Sequence, residues 1–431
     1  MLKSFKNSVL NSRMARNSTW MFIGQFLRTA LQAGYFFLIA RSLGVSEYGA
    51  FIAITSLVAI LAPFSTLGAG NIIILKVARD PSKFSESWGE ALFLALTTGA
   101  VLAVVIIAIA RFALPSGIAR TTILLVALSD LLGPRISDIA AYAFGAFEQF
   151  HWNAVLQIFS TGCRVVAAGA MVATISHPTA SQWVWFYVAS SIVMSAVSVT
   201  AVTVKLGMPS FRYPDLWKDM KEGFYFSLST CSQTVYNDID KTMLSRLSTL
   251  TATGIYGAAY RIVDVSCAPL RSILGAAYPS FFRNGAAGVD ATYRLAVRLL
   301  RKAGLFAIAA TLGMFLFAPV IPHLLGAGYK ESVDALRWLA LLPILKCVHF
   351  FFGDALSGAG HQRLRASMQV LVAVFNVLVN LWIIPAYSWR GAAWSSLASD
   401  GLLAGLLLCS ILILRRSEIE LLRKQAVVVA D

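Results

Sequence analysis

The chain has 431 residues, of which 58% are hydrophobic and 13% charged, with a mean hydropathy of +0.70. Water-soluble domains carry about 25% charged residues, so this composition excludes a soluble globular fold and points to a membrane. The formal charge of +15 is read by position rather than as a nucleic-acid footprint, because basic residues in short loops mark the cytoplasmic side of a membrane protein.

The first nineteen residues hold Lys3, Lys6, Arg13 and Arg16, which reads as a basic cytoplasmic tail. The apolar run after it is too long for the core of a signal peptide, and no small-residue cleavage site is evident. A crossing needs about twenty apolar residues. Twelve segments qualify: 20–40, 48–68, 89–110, 121–144, 153–174, 183–205, 222–246, 254–282, 303–325, 335–356, 365–385 and 391–414. The seventh and eighth carry the most polar residues.

With both termini inside, the tails and inside loops hold 22 Lys/Arg, and the outside loops hold seven: Arg41, Arg111, Arg120, Arg246, Lys330, Arg337 and Arg390. This threefold bias is what an even number of crossings predicts. Lys76 and Arg365 count as inside-loop residues. Residues 290–302 place Tyr293, Leu295 and Leu299 among Arg294, Arg298, Arg301 and Lys302, the pattern of a segment lying on an anionic leaflet.

The chain also repeats. Arg41-Ser42-Leu43 precedes Tyr48-Gly49-Ala50, and Arg246-Leu247-Ser248 precedes Tyr256-Gly257-Ala258, 208 residues later. Half-chain parallel repeats are a transporter plan, with substrate between the halves. The expected fold is all-α, about twelve transmembrane helices in two six-helix lobes. The N-terminal lobe spans 1–206, a cytoplasmic linker 207–221, the C-terminal lobe 222–414 and a cytoplasmic tail 415–431.

Charges inside the crossings cost roughly 2.5–3.5 kcal/mol each at a helix centre and are expected to face a cavity or a partner. In the first half these are Arg28, Arg135 and Arg164, against Asp130 and Asp138. Arg135 follows Gly133-Pro134, where a broken helix would free backbone groups for a polar cavity. The excess of arginine suits an anion, phosphate in particular. The alternative is internal pairing, Arg135 with Asp138 one turn on. The second half holds Asp238, Asp240, Lys241, Arg261, Asp264, Arg271, Lys346, Asp354 and Asp400. These residues suit either ion coupling or a structural ion-pair network.

No HExxH, CxxC, phosphate loop or Ser/His/Asp spacing is present. The five histidines are scattered, and the five cysteines sit in apolar stretches as small hydrophobes. The reading is a transporter rather than an enzyme, with no catalytic residue, no metal, no cofactor and no nucleic-acid partner.

Several segments together resemble the polysaccharide-biosynthesis flippases, the Wzx-type proteins of O-antigen and exopolysaccharide synthesis. That family belongs to the superfamily that also holds the multidrug MATE exporters and the lipid II flippase. The segments are Ala40–Gly44 with Tyr48–Phe51, Leu67–Gly70, Asn237–Leu244, Gly326–Tyr329, and Ile383–Pro385 with Gly391–Ala393. The resemblance covers nearly the whole chain. It implies alternating access, an undecaprenyl-diphosphate-linked oligosaccharide as cargo, and membrane lipids and polysaccharide polymerase or export machinery as partners. It also implies a place in the bacterial inner membrane. Arg28 is similar in placement to the first-helix arginine of the lipid II flippase. On this reading Arg28, Arg135, Arg164 and Arg271 line the diphosphate and sugar path, and Asp238, Asp240, Lys241, Arg261 and Asp264 form the coupling or ion-pair network. Two alternatives remain: a cation-coupled MATE-type multidrug exporter, and a non-transporting scaffold of a polysaccharide assembly complex.

Overall fold

The structure is a computed structural model that describes the backbone of residues 2–210, 212 and 216–430. Side chains are described over 24–420, except at 211, 213–215, 218, 222, 225, 226, 229, 232, 233 and 236. The basic side chains of the N-terminal tail, with Lys218, Arg423 and Lys424, lie outside the described residues. The described residues are helical with no strand, and the chain divides into two compact units, 1–234 and 235–431.

Unit 1 begins with α1 (Leu2–Leu61), which is a hairpin rather than one rod. The rings of Phe36 and Tyr48 lie 6.0 Å apart, whereas twelve residues of straight helix span about 18 Å. The reversal falls at Gly44 (φ 71°), in the left-handed region that glycine enters without a Cβ clash. The second arm ends in a 3₁₀ turn at Ala62–Ser65 containing Pro63. Leu67 (φ 43°) and Gly68 (φ 66°) then redirect the chain into α2 (Ala69–Arg79). Lys76, expected in a loop, is therefore helical.

The remaining helices of this unit are α3 (Phe84–Ala113), α4 (Arg120–Ala146), α5 (Phe150–Thr174), α6 (Ala180–Lys205) and the first part of α7 (Leu216–Leu247). Helix α4 is central and packs on α1, α2, α3, α5 and α6. Its Phe144 and Ala140 join Trp88 and Leu94 of α3 in a fully enclosed core. In a bilayer, lipid tails are as apolar as side chains, so helices are held by close packing instead. Gly133 illustrates this: a Cβ there would come 2.7 Å from that of Ser191 on α6. Contrary to expectation, Pro134 does not break α4. It removes one N–H, and the helix runs on because both sides are packed. The break sits instead at Pro63–Gly68.

Unit 2 continues with α8 (Leu250–Ser266), α9 (Ala268–Gly285), α10 (Val289–Phe317), α11 (Ile321–Leu325), α12 (Ser332–Leu339), α13 (Leu342–Gly358) and α14 (Gln362–Ala430). The eighth crossing, expected whole, divides at Cys267 before Pro269, and the tenth divides at Ala340 and Leu341 before Pro343. A proline lacks the N–H that would continue the preceding helix. Residues 290–302 form the first half of α10 and run unbroken into its apolar half. Helix α14 is a second hairpin with its corner at Ser388 (φ 54°). Its arms are joined by Asn376 Nδ2 donating to Ser399 Oγ at 3.0 Å and by a hydrogen bond from Ser395 to Asn380.

Among the described residues, seven helical stretches are long and apolar enough to cross a membrane, two of which (24–79 and 362–420) contain the hairpins. Helices α4, α7 and α8–α9 are long enough but carry charges in mid-helix. Counting hairpin arms and these three gives twelve crossings in a two-lobed, all-helical membrane fold.

Candidate functional site

The broken end of the second crossing borders a polar site in unit 1. A cavity of about 130 Å3 is lined by Pro63, Gly68 and Asn71 on the broken segment and by Arg135, Asp138 and Tyr142 on α4. Helix α2 reaches α4 because residue 70 is glycine; a Cβ there would lie 2.3 Å from the Tyr142 ring. Arg135 Nη1 donates to Asp138 Oδ2 at 3.2 Å, one turn on. Both side chains are partly exposed, 36% and 44%, and both line the cavity. The Nε of Arg135 is buried without a partner.

Arg28 of α1 approaches the same carboxylate: its charge acts on Asp138 together with that of Arg135. Its own hydrogen bond goes to a neutral group, Nη1 to Gln157 Oε1 at 2.7 Å. Gln157 in turn donates to Asn153 at 2.5 Å, which fixes the amide orientation. Arg135 is thus paired with Asp138, while Arg28 has no ion pair among the described residues.

Arg164 is placed differently. It is buried, 3.5 Å from Asp130, and donates to the Tyr187 carbonyl at 2.8 Å and to Ser190 Oγ at 3.0 Å. Its guanidinium lies 3.3 Å from the centre of the Tyr187 ring, and the Tyr187 hydroxyl donates to Asp130. The set ties α4, α5 and α6 together. The structure brings Arg28 and Arg135 to one site and holds Arg164 in another.

A third cluster lies where α7 meets unit 1. Lys76 is ion-paired with Asp219 and lies 3.3 Å from Glu90, both carboxylates being nearly inaccessible. Lys76, Glu90 and Asp219 bind α2, α3 and α7. Nearby, Ser210 N donates to the Ser85 carbonyl at 2.8 Å and Ser85 Oγ to the Met208 carbonyl at 2.5 Å.

In unit 2 the charges of α7 meet those of α8, α13 and α14. Lys241 Nζ lies 2.5 Å from Asp238 Oδ1, donates to the Asn237 carbonyl at 3.0 Å and sits 4.1 Å from the centre of the Tyr260 ring. Asp240 accepts from Tyr256 and, at 3.0 Å, from Ser396. Lys346 donates to Asn237 Oδ1 at 3.1 Å and to the Tyr260 hydroxyl at 3.2 Å. His349 Nε2 lies 2.9 Å from Asp400. Asp354 is paired at 2.6 Å with Arg365, a residue expected in a loop. Asp264 is near enough for its charge to act on Lys241. Arg261 is half-buried and has no ion pair among the described residues. Arg271 is exposed and donates to the Asp264 carbonyl at 2.7 Å. Asp238, Asp240 and Lys241 thus form one connected network, with Asp264 beside it. Among the described residues, Arg271 hydrogen-bonds only the backbone at its edge.

Among the described residues no group of three His, Cys, Asp or Glu side chains is placed to hold a metal, and the five cysteines are free thiols. The sequence alone assigns no site role to Gln157, Glu90, Asp219, Tyr187, Tyr256 or His349. Gln157 and Asn153 stand at helical i,i+4 spacing, which is a usable signal. The others meet their partners only through tertiary packing.

The sequence profile of the family described as "polysaccharide biosynthesis protein" matches residues 14–284. The chain is 22% identical over 392 residues to a probable low-salt glycan biosynthesis flippase, Agl15, of Haloferax volcanii, covering 88% of this chain and 79% of that one. Its fold is similar to an inward-facing multidrug resistance MATE family transporter of the MOP superfamily, with a TM-score of 0.73 at 16% identity over 93% of this chain and 99% of that one. It is also similar to the lipid II flippase MurJ in an inward closed conformation, with a TM-score of 0.72 at 12% identity over 92% of this chain and 87% of that one. With a profile match over more than half its length, on a fold shared with membrane transporters, the chain belongs to the polysaccharide biosynthesis protein family and is a multi-pass membrane protein.

Proposed function

We propose that the protein is a flippase that moves undecaprenyl-diphosphate-linked oligosaccharide repeat units across the bacterial inner membrane, for exopolysaccharide or O-antigen synthesis, by alternating access. The observation that carries this reading is Arg135 on the wall of the cavity at the broken α1–α2 segment, with Arg28, which has no ion pair among the described residues, near enough for its charge to act on the same Asp138. Arg28 is held by a neutral amide and Arg135 by an exposed carboxylate. A diphosphate offers both guanidinium groups charge-assisted, bidentate partners, roughly twice as strong as a neutral hydrogen bond. At an effective dielectric of 20, one such pair at 4 Å is worth about 4 kcal/mol before desolvation.

The cargo enters from the cytoplasmic side, its diphosphate on Arg28 and Arg135. The sugar follows the diphosphate along the transport path, and the prenyl tail stays in lipid. Arg164 keeps α4, α5 and α6 in register around this site, and Arg271 lies further along the path. Asp238, Asp240, Lys241, Arg261 and Asp264 form the coupling network, and cargo or ion must bind the two transport states differently to drive the cycle. Both termini are cytoplasmic. Polymerase or export machinery receives the product.

The cargo is tested in proteoliposomes with fluorescent prenyl-diphosphate-oligosaccharide, the matching monophosphate lipid, and a cationic dye. The expected result is transport of the diphosphate lipid, weaker transport of the monophosphate and none of the dye. Transport of the dye alone would sink the proposal in favour of a multidrug exporter.

A further inference from the structure

The end of α10 remote from Val289 opens on a groove of about 800 Å3 within unit 2. Its walls are aromatic: Phe315 of α10, Trp338 of α12, and Tyr387 and Trp394 at the corner of α14. Phe315, Trp338 and Tyr387 are about half exposed, at 50%, 46% and 53%. Two guanidinium groups stand among them, Arg337 and Arg390, with a single carboxylate, Asp334, 3.7 Å from Arg337. The groove therefore carries one unbalanced positive charge.

The walls are fixed in advance. The Trp394 ring lies 5.9 Å from that of Trp338 and 5.2 Å from that of Tyr387. The corner is fastened by Trp389 Nε1 donating to Glu331 at 2.7 Å and by a 2.7 Å hydrogen bond between Ser388 and Ser248. These contacts hold Ser388 at φ 54°, a conformation a non-glycine residue keeps only where its surroundings enforce it. Aromatic residues at a membrane interface are common. A preformed concave groove with a few placed charges is the usual form of a ligand site, and rigid walls lower the ordering cost of binding.

We propose that this groove binds an anionic phospholipid of the surrounding bilayer, with an acyl chain between the aromatic walls and its phosphodiester on Arg337 and Arg390. The charge selects the class: a monoanionic phosphodiester balances the groove, whereas a diphosphate exceeds it. The occupant is thus a resident lipid and not the transported cargo, and the inference stands apart from the flippase reading. Bound there, the lipid bridges α10, α12 and α14, so its binding stabilises unit 2 by mass action.

The test uses the full-length protein and native mass spectrometry against phosphatidylglycerol and phosphatidylcholine of matched chains. Phosphatidylglycerol should be retained about tenfold better, and Arg337→Gln with Arg390→Gln should abolish that preference. Arg294→Gln with Arg298→Gln, at the other end of α10, should leave it intact. In the unsubstituted protein, a phosphatidylglycerol with a photoreactive acyl chain should crosslink within 311–341 and 387–394. Equal retention of the two lipids, crosslinks confined elsewhere, or loss of preference in the Arg294/Arg298 variant would each overturn the proposal. So would loss of the crosslink when equimolar prenyl diphosphate is present before irradiation, which would assign the groove to cargo.

Discussion

Arg28 and Arg164 both sit in mid-helix, and their neighbours give them opposite uses. Arg164 is buried on Asp130 and the Tyr187 carbonyl, so its loss strands a carboxylate. Arg164→Ala is expected to cost about 3–5 kcal/mol, read as a fall in the detergent-solubilised protein's unfolding temperature, with partial recovery when Asp130→Asn is added. Arg28 is held by an amide, and Arg28→Gln should change stability by less than about 1 kcal/mol while lowering flipping at least tenfold. Equal effects on stability for the two substitutions would contradict the distinction. The sequence makes Arg135–Asp138 and Lys241–Asp238 legible, because residues one turn apart share a helix face. It cannot show Arg164 with Asp130 or Glu90 with Lys76, since those meetings depend on how separate helices pack.

At the scale of elements, prolines and glycines decide where helices stop, and only some were readable. Gly44 and Pro385–Gly391 bracket real hairpins. Pro134 suggests a break that α4 does not make, whereas Pro63 with Leu67 and Gly68 makes one beside the cavity. A proline's effect depends on whether its neighbours re-satisfy the helix, which one sequence does not reveal. Gly223 lets α7 pass this break; a Cβ there would lie 1.6 Å from the Leu67 carbonyl oxygen. Gly223→Ala should therefore displace α7 and reduce transport more than Gly275→Ala, whose Cβ meets nothing, measured by flipping at equal protein density.

Helix α14 also caps α10. Glu418 accepts from the backbone N–H groups of Val289 and Asp290 at 3.1 and 2.9 Å, and Glu418→Ala should cost about 1 kcal/mol. Beside it, burial raises the Asp290 pKa, but hydrogen bonds and charges from Arg415 and Arg294 outweigh it and hold the group below its ordinary value. A depressed carboxylate contributes stability that is present above its unfolded value, about 3.9, and is lost as pH falls through the folded one. The hydrogen-exchange protection of residues 289–300, relative to their intrinsic exchange at each pH, should accordingly stay constant from pH 8 to about 5 and fall only below about 4.

For the whole molecule, hydropathy and loop charge were the strongest signals. The twelve crossings follow from them because the bilayer imposes length and apolarity directly. Lys76 and Arg365 weaken the loop count, since both are neutralised in ion pairs, yet the remaining bias still favours termini on one side. In a cysteine-free background, Ser4→Cys and Ser417→Cys should be labelled only from the cytoplasmic face and Ser116→Cys only from the outer face. Labelling of Ser4→Cys and Ser417→Cys from opposite faces would remove the even count.

The central claim is that Arg28 and Arg135 receive the diphosphate. It is met most directly by flipping of a fluorescent prenyl-diphosphate-oligosaccharide in proteoliposomes bearing Arg28→Ala and Arg135→Ala together, at matched folding and density. Flipping should fall to the protein-free rate. Flipping at the unsubstituted rate would contradict it.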